Sequence, residues 1–118
     1  MSDLHDLIIR YREFTRERDW EQFHDPKSLI LALVGEVGEL AELFQWQPQG
    51  QEDLERNDPE LLRRASEELS DILLYVLRLA DVMDIALSDA ANAKLTAAEE
   101  RFPIQEFTGR APDKVRGS

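Results

Sequence analysis

Asp25-Pro26 and Asp58-Pro59 constrain the fold of this chain more than any other feature. Each pair opens a long segment in which apolar residues recur every three or four positions. An aspartate just outside a helix can accept hydrogen bonds from the first unpaired backbone N–H groups, and proline suits the first turn because its missing N–H has no partner there anyway. The two segments, running to about Gln45 and to about Asp84, are therefore predicted helices. A third stripe, Leu4, Leu7, Ile8, Tyr11 and Phe14, predicts a helix from about Asp3 to Arg18, and Ser88 starts a shorter fourth that stops before Pro103. Gln47-Pro-Gln-Gly-Gln51 reads as a loop, and no stretch alternates as a strand would. The expected class is all-α: one helical domain over residues 1–105, followed by an extended or mobile tail, 106–118, that carries Gly109, Pro112 and Gly117.

Composition narrows the chemistry. The 118 residues include no cysteine, which excludes disulfides, thiolate metal sites and cysteine nucleophiles and fits a reducing compartment. No run of apolar residues is long enough for a membrane span, the N-terminus lacks a signal-peptide profile, and a cytoplasmic location is the expectation. A net charge of −11, from 25 acidic and 14 basic residues, opposes binding to a nucleic-acid polymer, which depends on cationic contacts to phosphate. A small anion remains a feasible substrate if a divalent cation bridges it to the protein.

Helical geometry, at about 100° per residue, sorts the acids. With Leu29 as origin, Leu33, Val34, Val37, Leu40 and Phe44 form a broad apolar arc; Glu36 and Glu39 share its edge, and Glu42 points away. On the other long helix Leu61, Ala65, Leu69, Ile72, Val76, Leu79 and Met83 form the arc, with Glu68, Asp71 and Tyr75 on one bordering strip. If the two apolar faces pack together, both acidic pairs converge on one rim. Four carboxylates there would repel unless a cation offset them, and all-oxygen ligation favours Mg2+, with Mn2+ possible. The alternative is that such acids are only a solvated face, which is how isolated pairs at this spacing usually behave. Gly35 and Gly38, each costing about 1 kcal/mol against alanine inside a helix, point to a close approach by another helix or a ligand. His5 is read as a surface residue and His24 as structural.

The run from Leu31 to Trp46, containing Gly-Glu-Val-Gly-Glu-Leu-Ala-Glu, followed by Glu67-Glu-Leu-Ser-Asp-Ile-Leu-Leu-Tyr75, resembles the all-α nucleoside triphosphate pyrophosphohydrolase superfamily that contains MazG and the dCTP pyrophosphatases. The similarity extends from about Tyr11 to Pro103 and is strongest to the dCTP pyrophosphatase-like branch. It implies a four-helix MazG-like bundle completed by oligomerisation. It also implies that Glu36, Glu39, Glu68 and Asp71 are the catalytic magnesium ligands, and that a nucleoside triphosphate is split into monophosphate and pyrophosphate. The dCTP branch implies dCTP or a modified dCTP as substrate, and a role in clearing the nucleotide pool. Carried further, it places Trp20, Trp46 and Tyr75 around the nucleobase and Lys27, Lys94 and Arg101 near the phosphates. The chain departs from the pattern at Ala98, where asparagine is often seen, and at Tyr11, where vertebrate dCTP enzymes carry histidine.

The second long helix is apolar beyond one arc, since Leu62, Leu73, Leu74 and Leu77 continue around it. Such a helix needs cover on several sides, which predicts a homodimer or homotetramer. Two other readings remain open: the same fold acting on dUTP or another nucleotide, and a noncatalytic helical interaction module.

Overall fold

The computed structural model describes residues 3–47 and 57–110, and the described residues contain helices and no strand. The all-α class expected from periodicity therefore holds. The chain divides into two compact units, Met1–Ile85 and Ala86–Ser118.

The first unit contains α1 (Asp3–Glu17), a 3-10 turn (Glu21–Phe23), α2 (Pro26–Phe44) and α3 (Pro59–Val82). Both aspartate caps form as expected: Asp25 accepts from the Ser28 N–H at 3.1 Å, and Asp58 accepts from the N–H groups of Glu60 and Leu61, each at 3.1 Å. The helix ends use a device that the sequence reading missed. Asp19 and Asp84 adopt left-handed backbone angles, with φ of 55° and 57°. Around them Trp20 N–H donates to Thr15 O at 2.9 Å and Ile85 N–H to Ala80 O at 2.8 Å, the six-to-one bond of a Schellman stop. The sequence signal was faint because glycine, the usual residue at this position, is absent from both.

α3 is the centre of the unit, packing along α2 and, over a shorter stretch, against α1. Leu29, Ala65, Leu77 and Ala80 form its apolar core with buried Thr15, whose hydroxyl donates to the Arg12 carbonyl at 2.8 Å. Full burial of a leucine such as Leu77 stabilises by about 1.5–3 kcal/mol. One charged group is also inside: Arg78 is only 5% exposed, and its Nη1 donates to Asp81 at 3.1 Å while its Nε donates to Nδ1 of His24 at 2.9 Å. Asp81 in turn accepts two bonds from Arg12, at 2.7 and 3.0 Å, so that one carboxylate serves two guanidinium groups. Both arginines hold Asp81 well below the usual carboxylate range, Arg12 most strongly. His24 has a structural role, as expected, but the role is specific, since it satisfies a buried arginine.

The broad apolar arcs are corrected by this packing. Val34, Val37, Leu69 and Met83 were expected inside and are exposed, Val34 at 61% and Leu69 at 54%. The helices meet instead on a narrower sector that includes Leu29, Leu33, Glu36 and Leu40 on α2 and Leu61, Ala65, Glu68 and Ile72 on α3. Relative to the sequence reading, each helix is rolled towards its acidic edge. A two-helix contact covers only part of each circumference, and identity as an apolar residue does not say which part. Nor do Gly35 and Gly38 meet a neighbour: a Cβ built on either finds nothing within 4 Å.

The second unit contains α4 (Leu87–Arg101) and a short α5 (Ile104–Phe107), joined across Pro103 and fastened by an edge-to-face contact of Phe102 and Phe107 with centroids 5.0 Å apart. The start of the expected tail is thus helical at Glu106 and Phe107, while its remainder, 111–118, lies outside the described residues, as do residues 48–51 of the expected loop. No helix in the described residues is long and apolar enough to cross a membrane.

Candidate functional site

Rolling α2 and α3 towards their acidic edges moves the carboxylates from the margin of the helix contact into it. Glu36, Glu39 and Glu68 each present an oxygen such that all three lie within 4.8 Å of one another. Glu36 and Glu68 are half-buried and Glu39 is exposed, so the cluster has a closed floor and an open side. Asp71 falls outside this tight set. It stands one turn further along α3 and is exposed, yet close enough for its charge to act on Glu36. The four expected acids therefore occupy one rim, three of them in contact range.

The electrostatics are unfavourable as the site stands. Oε2 of Glu36 and Oε2 of Glu68 are buried and accept no hydrogen bond. The only way these carboxyls can bond to one another is to share a proton, and facing Glu68 is the main reason that the Glu36 pKa is pushed up to about 7. Partial burial and Glu39 add to the shift, and Asp71 adds a longer-range repulsion. An ordinary surface acid would have water or a donor at each oxygen. Here two orphaned oxygens face into a cluster of acids, a donor set that fits a hard divalent cation and offers it oxygen ligands only.

An open cleft of about 500 Å3 continues from this cluster between the two helices, lined by Glu39, Glu42, Leu43 and Gln45 of the α2 end and by Arg64 and Glu68 of α3. Glu42, expected to point away, is part of the wall, one turn beyond Glu39. Arg64 was not singled out from sequence. A usable signal existed: it extends the strip Glu68, Asp71 and Tyr75 by one turn towards the start of α3.

A second cleft of about 380 Å3 is lined by Leu7, Arg10, Tyr11, Phe14 and Leu74. Leu7, Tyr11 and Phe14 in its wall belong to the apolar stripe that marked α1 in the sequence. Burial pushes the Tyr11 phenol up, with Tyr75 and then Asp71 adding to the shift and Arg78 opposing it. Tyr11 and Tyr75 are therefore electrostatic neighbours beside the acidic rim. Among the expected base-contacting residues, Trp20 is 43% exposed and packs edge-on to Phe14 at 5.5 Å, whereas Trp46 is 86% exposed just beyond the end of α2. Lys27 is exposed in the first turn of α2, about 13 Å along the axis from Glu36 at the usual helical rise, and so is not brought to the cluster within this unit. Lys94 and Arg101 belong to the second unit, where the Arg101 guanidinium lies over the Phe102 ring at 5.5 Å.

Comparison with known proteins places the chain among pyrophosphohydrolases. The MazG nucleotide pyrophosphohydrolase domain matches residues 24–105, which include every acid of the cluster. The chain is 45% identical over 108 residues to dCTP pyrophosphatase 1 of Bos taurus, covering 92% of this chain and 64% of that protein. To the Homo sapiens dCTP pyrophosphatase 1 it is 46% identical over 100 residues, covering 85% of this chain and 59% of the other. It thus spans somewhat less than two thirds of the length of these relatives. Among solved structures, a pyrophosphatase from Archaeoglobus fulgidus superposes with a TM-score of 0.74 at 33% identity, covering 87% of this chain and 94% of that one. Helical class, paired acidic motifs and the half-buried carboxylate cluster converge with these similarities, and the chain belongs to the MazG nucleotide pyrophosphohydrolase family.

Proposed function

We propose that this protein is a magnesium-dependent nucleotide pyrophosphohydrolase that splits a deoxynucleoside triphosphate, dCTP or a modified dCTP, into the monophosphate and pyrophosphate, and so clears such nucleotides from the pool. The observation that carries the reading is the half-buried meeting of Glu36, Glu39 and Glu68 with two carboxylate oxygens left without partners. The substrate class rests on the similarity to dCTP pyrophosphatase 1.

Glu36, Glu39 and Glu68, with Asp71 beside them, would hold Mg2+, which when bound neutralises phosphate charge and favours attack by water. The chain's own contribution is to place acids where only a cation relieves them, and to keep one side of the cluster open to the nucleotide. Glu36 is the assigned base, as the half-buried acid that faces both Glu39 and Glu68 and can orient or deprotonate the attacking water. Water attacks in line at the α-phosphorus, the α–β anhydride bond breaks and pyrophosphate leaves. Tyr75, Trp20 and Trp46 are assigned to the base, and Lys27, Lys94 and Arg101 to the phosphates, by family resemblance. The wide exposure of Trp46 fits a stacking platform that a ligand would cover.

The functional particle is proposed to be a homodimer or homotetramer. Ile30, Leu31, Val34 and Val37 leave an exposed apolar face on α2, beside Gly35 and Gly38 with open space above them. A second copy would cover that face and would explain glycines that nothing among the described residues requires. Sedimentation at micromolar concentration is expected to show no free monomer.

The deciding assay measures pyrophosphate release from dCTP, 5-substituted dCTP, dUTP and the remaining nucleotides, with Mg2+ and with chelator. Release from dCTP that stops with chelator is expected. Release greatest from dUTP would keep the fold and replace the substrate. No release from any nucleotide, with no effect of Mg2+ on a thermal melt, would leave the noncatalytic helical module as the reading.

A further inference from the structure

We propose that Arg64 is a binding residue for the pyrophosphate portion of the substrate, and this inference rests on the function proposed above. Among the described residues, the cleft that leads away from the carboxylate cluster is walled by Glu39, Glu42 and Glu68, which repel a phosphate chain, and by one cation, Arg64. Four residues separate Arg64 from Glu68 on α3, which sets the two about 6 Å apart along the axis and on the same side of the helix. That spacing matches the reach of a phosphate chain whose α-phosphoryl end sits at the acidic cluster.

The neighbouring arginine shows that Arg64 is not simply holding its own helix together. Arg63 forms ion pairs to Glu60 at 2.7 Å and to Glu67 at 2.5 Å on the solvent side. Arg64 has no ion pair among the described residues, and its influence on Glu60 is secondary to that of Arg63. A guanidinium in an acidic cleft, with its donors uncommitted, can present two parallel N–H groups to phosphate oxygens.

The test is a titration of the full chain, with Mg2+ present, by inorganic pyrophosphate and separately by dCMP, on wild type, Arg64→Gln and Arg64→Lys. Loss of one charge-assisted contact predicts that pyrophosphate binds Arg64→Gln about ten- to a hundredfold more weakly, with Arg64→Lys between the two and dCMP affinity unchanged. In turnover assays KM for dCTP should rise by a similar factor, with a smaller change in kcat. Equal pyrophosphate affinity in wild type and Arg64→Gln would overturn the proposal, as would equal weakening of pyrophosphate and dCMP. A wild-type chain that binds pyrophosphate through Arg64 yet releases none from any nucleotide would instead refute the proposed activity, so the two failures are distinguishable.

Discussion

Replacing Glu36 by glutamine should make the metal-free protein more stable while removing its response to Mg2+. In the folded chain the Glu36 carboxyl stands at about 7 against an ordinary value of 4.5, mainly because it faces Glu68. A gap of that size corresponds to at most about 3.4 kcal/mol, at 1.36 kcal/mol per unit. The open side of the cluster admits water that screens the repulsion, so about 1–2 kcal/mol is expected. Glutamine keeps the shape, removes the charge and can donate its amide N–H to Glu68. At pH 8 in chelator, Glu36→Gln should melt roughly 4–8 °C above wild type at equal protein concentration. The sign with pH follows from proton uptake. A raised carboxyl pKa means that the folded state binds more protons than the unfolded state between 4.5 and 7, so wild type loses stability as pH rises through that window and the variant does not. The advantage should therefore shrink towards pH 4.5. Equal or lower stability of the variant at pH 8, or a gap that does not change with pH, would refute the account of the cluster as strained acids awaiting a cation.

Adding Mg2+ should raise the wild-type melting temperature, with chelator reversing the effect, and the rise should be smaller at pH 5.5 than at pH 8 because a proton on Glu36 competes with the ion. Asp81→Ala should destabilise by about 3–5 kcal/mol in urea titrations, since it leaves the buried Arg78 guanidinium without its counter-charge. His24→Phe should cost about 1–3 kcal/mol by removing the acceptor of the Arg78 Nε–H. Burial, then the charge of Arg78, lowers the His24 pKa, so its contribution is present above pH 6.5 and is lost as pH falls below that value. Asp84→Gly should stabilise by about 0.5–1 kcal/mol, because glycine adopts the left-handed angle at the end of α3 without the Cβ penalty; a loss of stability would show that the Asp84 side chain has a further role.

The helices were legible in the sequence because their causes are local. Asp25-Pro26 and Asp58-Pro59 satisfy backbone groups within three residues, and the three-and-four spacing of leucines is a property of each segment alone. The candidate acids were legible for the same reason, since Glu36 with Glu39 and Glu68 with Asp71 are neighbours on their own helices. What could not be read locally was the roll of α2 against α3. It depends on how two surfaces fit, and it decided that Glu36 and Glu68 lie within the contact, that Val34, Val37 and Leu69 lie outside it, and that Asp71 stands apart from the tight cluster. The same holds for Arg64 in the acidic cleft and for the Arg12, Asp81, Arg78 and His24 network, in which Arg12 bonds to Asp81 across 69 residues of chain and Arg78 to His24 across 54. Local hydrogen bonding and periodicity set which segments are helical; only packing between segments sets which side chains lose water, and it is lost water that sets Glu36 and Glu68 apart from ordinary surface acids.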